Sequence, residues 1–172
     1  MKVIYTSRMK QIILVAHNLR SAHNVGSLFR TAEGLGVGKL YLSGYSPYPL
    51  AANDERLPHL AEKIDRQIAK TALGAEKSID WQHIFDIAQI ITDLKNQGFT
   101  AAALEQTPGA IKLPGFAPAG KLVLIVGREV EGIEPEVLEL CDLALEIPML
   151  GRKESFNVAQ AAAMALYHLR FN

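Results

Sequence analysis

QIILVAHNLRSAHNVGSLFRTAEGLG, residues 11–36, reads as a buried strand running into a helix. Residues 11–17 are a short, nearly continuous apolar run, the pattern of a strand covered on both faces. From residue 22 to 36 the apolar positions take a helical period. At about 100° per residue, Val25, Leu28, Phe29, Ala32 and Leu35 make one stripe, and His23, Ser27, Arg30 and Gly34 gather opposite. A solvated helix back usually carries Lys and Glu, and glycine there costs about 1 kcal/mol against alanine. Here Gly26 and Gly34 flank a single arginine. The functional question is what an arginine on a bare helix face is for.

The alternation continues along the chain. Further strands are expected at 39–44 (KLYLSG), 99–105 (FTAAALE), 121–127 (KLVLIVG) and 143–148 (LALEIP). Helices are expected near 22–36, 59–73, 83–97, 135–141 and 157–170. Apolar strands separated by helices predict an α/β protein, a largely parallel sheet with helices on both faces. The segment 44–58, GYSPYPLAANDERLP, is long for a simple connection and reads as a functional or mobile loop. Ligands of such sheets bind beyond the carboxyl ends of the strands. This directs attention to the loops 104–115, 127–134 and 147–157.

A chain of 172 residues fits one domain. Its apolar runs fall short of the roughly 18 residues of a membrane span. The opening MKVIYTSRMK has no signal-peptide core, so a cytoplasmic location and no membrane partner are expected. The single cysteine, Cys141, excludes an internal disulfide and a cysteine-rich zinc site, and reads as buried filler. The five histidines show no metal-ligand spacing, so no metal is expected, and no GxSxG elbow supports hydrolase chemistry. Net charge is zero but polarised: residues 1–73 hold 10 Lys and Arg against 5 Asp and Glu. A basic face for nucleic acid and a plainly solvated acidic half both fit that distribution.

Two loops carry the chemistry-bearing residues. GREVEGIE, 127–134, follows a strand and has two glycines five apart, with Pro135 at a helix N1 position. It lacks a Walker lysine and dinucleotide spacing, so it reads as a structural turn or as a backbone that approaches a ligand closely. Glu129 is a solvated charge or an acceptor holding the adjacent loop. IPMLGRKESFN, 147–157, begins with apolar residues that suit the wall of a flat heterocycle. Asn157 and Gln160 resemble a capping box for the last helix, whose free N–H groups also suit a ligand. That helix is rich in alanine, which would let another backbone pack closely. His23 shares the face of Arg30 and reads as a surface residue or a site residue.

Taken together, NLRSAHNVGSLFRTAEGLGV, VLIVGREVEGIEPEVLELCD and IPMLGRKESFNVAQAAAMALY closely resemble, in this order and spacing, the three motifs of the SpoU (TrmH-like) branch of the SPOUT methyltransferases. Members of that family transfer a methyl group from S-adenosylmethionine to a ribose 2′-hydroxyl of tRNA or rRNA. The resemblance implies a C-terminal trefoil knot and a homodimer, neither of which periodicity would suggest. It places catalytic residues at Asn24, Arg30, Glu129, Ser155 and Asn157. It places the cofactor against Leu104, Gly127, Ile147, Pro148, Met149, Leu150, Ser155 and Asn157. Two positions depart from the family pattern: Arg128 stands where many relatives have asparagine, and Phe156 where leucine is usual.

On this reading Arg30 faces outward because a ribose-phosphate arrives from outside. A guanidinium fork matches phosphate oxygens and stays charged, which suits a clamp and a stabiliser of the developing alkoxide better than a general base. Basic residues at Arg20, Arg30, Arg56, Lys63, Arg66 and Lys70 are candidate backbone contacts. With no evident added RNA-binding domain, tRNA is favoured over rRNA. The other reading kept open is a non-catalytic RNA- or nucleotide-binding protein of the same fold.

Overall fold

The computed structural model describes residues 10–118 and 120–172. The leader-free reading of the N-terminus therefore falls mostly outside the described residues. Seven strands form one all-parallel sheet in the order β3-β2-β1-β6-β4-β7-β5. In chain order the elements are β1 (Gln11–His17), α1 (Ala22–Gly34), β2 (Lys39–Ser43), α2 (Pro58–Ala72), β3 (Trp81–Ile84), α3 (Ile87–Asn96), β4 (Thr100–Leu104), β5 (Ile111–Lys112), β6 (Lys121–Val126), α4 (Pro135–Leu138), β7 (Leu143–Glu146) and α5 (Val158–Phe171).

The apolar runs of β1, β4 and β6 follow from their central position. Ile12, Leu14, Leu122, Leu124 and Ala102 face α1, α2 and α5, whereas Ile13, Val15, Val123, Ile125, Ala101 and Ala103 face α3 and α4. Each side of the pleat therefore has its own core. The stripe expected on α1 is there: Val25, Leu28, Phe29 and Ala32 are fully buried, and Leu35 packs against them.

Several expectations need correcting. The helix expected from 83 begins at Ile87, because WQHI forms the short strand β3, in register with β2 from Leu40↔Trp81 to Ser43↔Ile84. Asp86 caps α3 by accepting the N–H of Ala88 at 2.9 Å. The edge strand β5, two residues long, carries no period to read. Gly26 does not belong to the bare face of α1. It is buried against α2, where a Cβ would lie 2.2 Å from the Ile68 carbonyl oxygen and from Thr71 Oγ1. Its absence of a side chain lets the two helices approach, and Thr71 Oγ1 donates across that contact to the His23 carbonyl at 2.8 Å.

The alanines of α5 are likewise used within the chain. Ala159, Ala162 and Ala165 are buried in the core, and the exposed face carries Gln160, Met164 and Tyr167 instead. Cys141 is half-buried rather than fully inside; its Sγ donates to the Val137 carbonyl, and burial pushes the thiol up to about 11. Among the described residues, no helix is long and apolar enough to cross a membrane.

The segment 44–58 is held by side chains rather than by secondary structure. Arg56 donates to the Tyr48 and Pro49 carbonyls, pairs with Asp54, and lies 3.6 Å over the Tyr48 ring. The Arg56 guanidinium holds the Asp54 carboxyl far below the usual carboxylate range. Arg56 is therefore a structural brace, not a free cation for a phosphate backbone.

Candidate active site

β4, β6 and β7 end side by side, and their carboxyl ends open into a cleft of about 330 Å³. Leu104, Val126, Leu145, Ile147 and Phe156 give it apolar walls, and Gly127 and Gly132 bring backbone to its edge. Of the expected cofactor residues, Leu104, Gly127, Ile147 and Ser155 line this cleft. Pro148, Met149 and Leu150 lie on the loop that continues from Ile147, outside the lining, as does Asn157 at the start of α5, and Leu150 is fully exposed.

Gly127 is needed for a reason internal to the loop. A Cβ there would lie 2.6 Å from Ile133 Cγ1 and 2.9 Å from the Gly132 carbonyl carbon, so the returning chain already occupies that space. Gly132 adopts φ +72, the left-handed region that favours glycine, and Arg128 and Gly132 exchange backbone hydrogen bonds to close the turn.

The tip of this loop reaches the start of α1. Glu129 accepts the N–H groups of Arg20 and Ser21, both at 3.2 Å, and the Asn24 amide at 3.0 Å. Burial opposes its charge, but these donors more than offset that and hold its carboxyl below the ordinary range. Glu129 is thus an acceptor holding the adjacent loop. Asn24 in turn accepts from Asn157 Nδ2 at 3.2 Å. Asn157 Oδ1 caps α5 through the Ala159 N–H at 2.9 Å, while no return bond from Gln160 completes a capping box.

Residues from all three sequence motifs thus meet within one chain. Ser155 sits on the cleft wall. Arg30 and His23 are exposed on α1, outside the cleft lining. Arg20 pairs with Glu131, and Arg66 lies 3.6 Å from Glu62, leaving Arg30, Lys63 and Lys70 as exposed cations of the expected set with no ion pair among the described residues.

Reading the sequence missed a second polar cluster beneath the loop. Asn18, at φ +54, donates through Nδ2 to Glu134 Oε1 at 2.8 Å, with His17 Nε2 3.0 Å away, and accepts the Tyr45 N–H through Oδ1. His17 Nδ1 lies 2.8 Å from Ser43 Oγ. Burial pushes the His17 pKa down, against the pull of Glu134. The available signal was the polar pair His17–Asn18 ending a buried strand, since asparagine tolerates positive φ better than most residues. Glu105, Gln106 and Glu154, also on the cleft, carried no signal beyond their place after a strand. Among the described residues, no group of three or more His, Cys, Asp or Glu side chains is arranged to hold a metal ion.

A family model described as the SpoU rRNA Methylase family matches residues 11–167, and the chain belongs to that family. It is 28% identical over 167 residues to a tRNA (guanosine(18)-2′-O)-methyltransferase of Aquifex aeolicus, covering 97% of this chain and 72% of that protein. The crystal structure of the A. aeolicus TrmH/SpoU tRNA modifying enzyme superposes with a TM-score of 0.76 at 26% identity, over 94% of this chain and 74% of that one. The SpoU methyltransferase AviRb of Streptomyces viridochromogenes, solved in complex with AdoMet, shares the fold with a TM-score of 0.77 at 21% identity. The match covers 94% of this chain but 57% of AviRb.

Proposed function

We propose that this protein transfers a methyl group from S-adenosylmethionine to a ribose 2′-hydroxyl of RNA. The observation that carries the reading is the convergence of Leu104, Gly127, Ile147 and Ser155 on one cleft, beside the linked residues Glu129, Asn24 and Asn157. The cleft suits a nucleoside cofactor: apolar walls for a flat ring, exposed loop backbone at its edge, and carboxylates at Glu129, Glu131, Glu146 and Glu154 against the one guanidinium of Arg128. That excess of negative charge favours a cationic ligand.

When bound, S-adenosylmethionine supplies a methyl on positively charged sulfur, open to in-line attack by a ribose oxygen. The chain's own residues orient and shield. Glu129 and Asn24 fix the start of α1 against the cleft loop, and Asn157 ties α5 to Asn24. Ser155 presents a hydroxyl at the cleft wall for a ribose or cofactor oxygen. Arg30 clamps a phosphate and stabilises the developing alkoxide, its exposed position suiting a partner that arrives from outside.

We infer tRNA as the substrate in preference to rRNA, supported by the tRNA methyltransferase of A. aeolicus to which the chain is similar. A cytoplasmic homodimer with a knotted C-terminal part completes the reading; the exposed Met164 and Tyr167 on α5 support a second copy as partner. The test is methylation of purified tRNA and rRNA by the protein with methyl-labelled S-adenosylmethionine, followed by mapping of ribose methylation. Label entering the base, or no label with cofactor bound normally, would turn the reading toward a different methyl transfer or toward a non-catalytic binding protein.

A further inference from the structure

β4 ends at Leu104, and the next two residues grip different loops. Glu105 Oε2 accepts the N–H of Ile133 at 2.9 Å, and Oε1 accepts the N–H of Gln106 at 2.9 Å. Gln106 Nε2 donates to the Glu154 carbonyl at 2.8 Å. The first contact anchors the loop after β6 and the second the loop after β7, the two loops that wall the cleft.

The Glu105 carboxylate also occupies the space beside Gly132, where a Cβ would lie 2.3 Å from Oε2. Glu129 thus fixes the tip of the loop to α1, Asn18 holds its end through Glu134, and Glu105 fixes its return at Ile133. Because Ile133 and Gly132 crowd Gly127, any shift of that return moves the Gly127 wall of the cleft.

We propose that Glu105 is the positioning residue of the cofactor cleft, setting the course of residues 127–134 for a nucleoside-sulfonium ligand by holding the Ile133 N–H. The proposal rests on the S-adenosylmethionine reading above. Glu105 touches no reacting atom and acts through the backbone, so its loss should change cofactor affinity and not the chemical step. Losing this charge-assisted hydrogen bond should let the loop relax and weaken cofactor binding by about ten-fold.

The experiment combines amide hydrogen exchange, calorimetric titration with S-adenosylmethionine and steady-state methylation on the full chain and its Glu105→Ala and Glu105→Gln variants. In Glu105→Ala, the Ile133 amide should lose protection, and cofactor Kd and KM should rise about ten-fold. The thermal midpoint should fall by a few degrees, as the loss of one charge-assisted hydrogen bond requires, while kcat at saturating cofactor should stay near wild type. Glu105→Gln keeps one acceptor oxygen without the charge and should fall between the two; behaviour equal to Glu105→Ala would assign the effect to charge and overturn the positioning role. Unchanged cofactor affinity despite lost protection at Ile133, or a fall in kcat with KM unmoved, would also overturn it. If the wild-type chain itself does not bind S-adenosylmethionine, the cofactor reading fails and exchange alone decides: lost protection confined to 127–134 sustains the positioning role, and unchanged protection there overturns it.

Discussion

Asn157 Nδ2 donates to Asn24 Oδ1 at 3.2 Å across 133 residues of sequence, and the same Asn24 side chain donates to Glu129 at 3.0 Å. One amide thus uses both its ends, its oxygen toward α5 and its nitrogen toward the loop after β6. A side-chain amide offers a donor and an acceptor on one planar group, and the short arm of asparagine reaches both partners from the first turn of α1. Replacing Asn24 by Asp removes the donor and sets a second carboxylate against Glu129. The expected result is a loss of about 1–3 kcal/mol of stability by urea unfolding, together with strongly reduced methyl transfer. An Asn24→Asp protein of wild-type stability would mean that the link to Glu129 contributes nothing.

The two glycines of α1 that looked alike in the sequence should respond in opposite directions. At Gly26 a Cβ would strike the Ile68 carbonyl and Thr71, so Gly26→Ala should force α1 from α2 and cost about 1–3 kcal/mol. Nothing lies within 4 Å of a Cβ at Gly34. Gly34→Ala should be neutral or stabilise by up to about 1 kcal/mol, the helix-propensity difference reduced by its place at the helix end. Thermal or urea unfolding of the pair checks this; equal effects would contradict the packing seen at Gly26.

This pair shows why part of the structure was legible and part was not. A helix period marks which residues face the core, and it placed Val25, Leu28, Phe29 and Ala32 correctly. It cannot show that a neighbouring helix crosses at Gly26, because that contact depends on α2, more than 30 residues on. The same limit applies to the site. The order of loops after β4, β6 and β7 pointed to the cleft, since strand ends in parallel sheets lie together. The bonds between Glu129, Asn24 and Asn157 depend on side-chain directions that no spacing encodes. WQHI was too short for any period to distinguish a strand from the start of a helix, and it is pairing with β2 that decides. Arg56 looked like its neighbours Lys63 and Lys70, and only its pairing with Asp54 and Tyr48 separates it from them.

Acid should destabilise the fold in two stages. The folded His17 has a lowered pKa, so the unfolded chain binds the proton more readily and stability falls as pH drops below the ordinary histidine value of about 6.5. Glu129, Glu134 and Asp142 have lowered pKa values as well. Their contribution is complete above the ordinary carboxylate range and is lost as pH falls through their folded values. In His17→Gln the first stage should disappear, so the stability advantage of wild type over this variant should shrink as pH falls from about 7 toward 5. Urea unfolding at a series of pH values reads this directly, and parallel curves for the two proteins would exclude His17 as the group responsible.

Arg30 is exposed and has no ion pair among the described residues, so Arg30→Ala should leave stability and cofactor binding unchanged. If Arg30 clamps a phosphate, the variant should weaken RNA binding and lower the slope of log affinity against log salt by about one contact, near 0.7–0.9. A parallel Lys63→Ala, Lys70→Ala variant tests whether α2 shares the backbone contact. Affinity that does not vary with salt in the wild-type protein would remove the electrostatic picture altogether.

Asn24 and Arg30 are six residues apart on α1, which places their Cα atoms about 9 Å apart along the axis at 1.5 Å per residue. Asn24 turns toward the chain's own loop, whereas Arg30 is exposed and lines no part of the chain's own cleft. An active site shared across a homodimer accounts for this separation, with Arg30 from one protomer serving the cleft of the other. Mixing Arg30→Ala with a variant crippled in the cleft should then restore activity. Asn157→Ala serves for the second protein, because it keeps the Asn24–Glu129 bond and costs about 1 kcal/mol of capping at α5. Each variant alone should be nearly inactive, and the two refolded together should form heterodimers with one intact site, recovering up to about a quarter of wild-type turnover if assembly is random and each protomer pair carries two sites. Heterodimers that form, as shown by differential tagging, and still transfer no methyl would place Arg30 and the cleft it serves in the same chain.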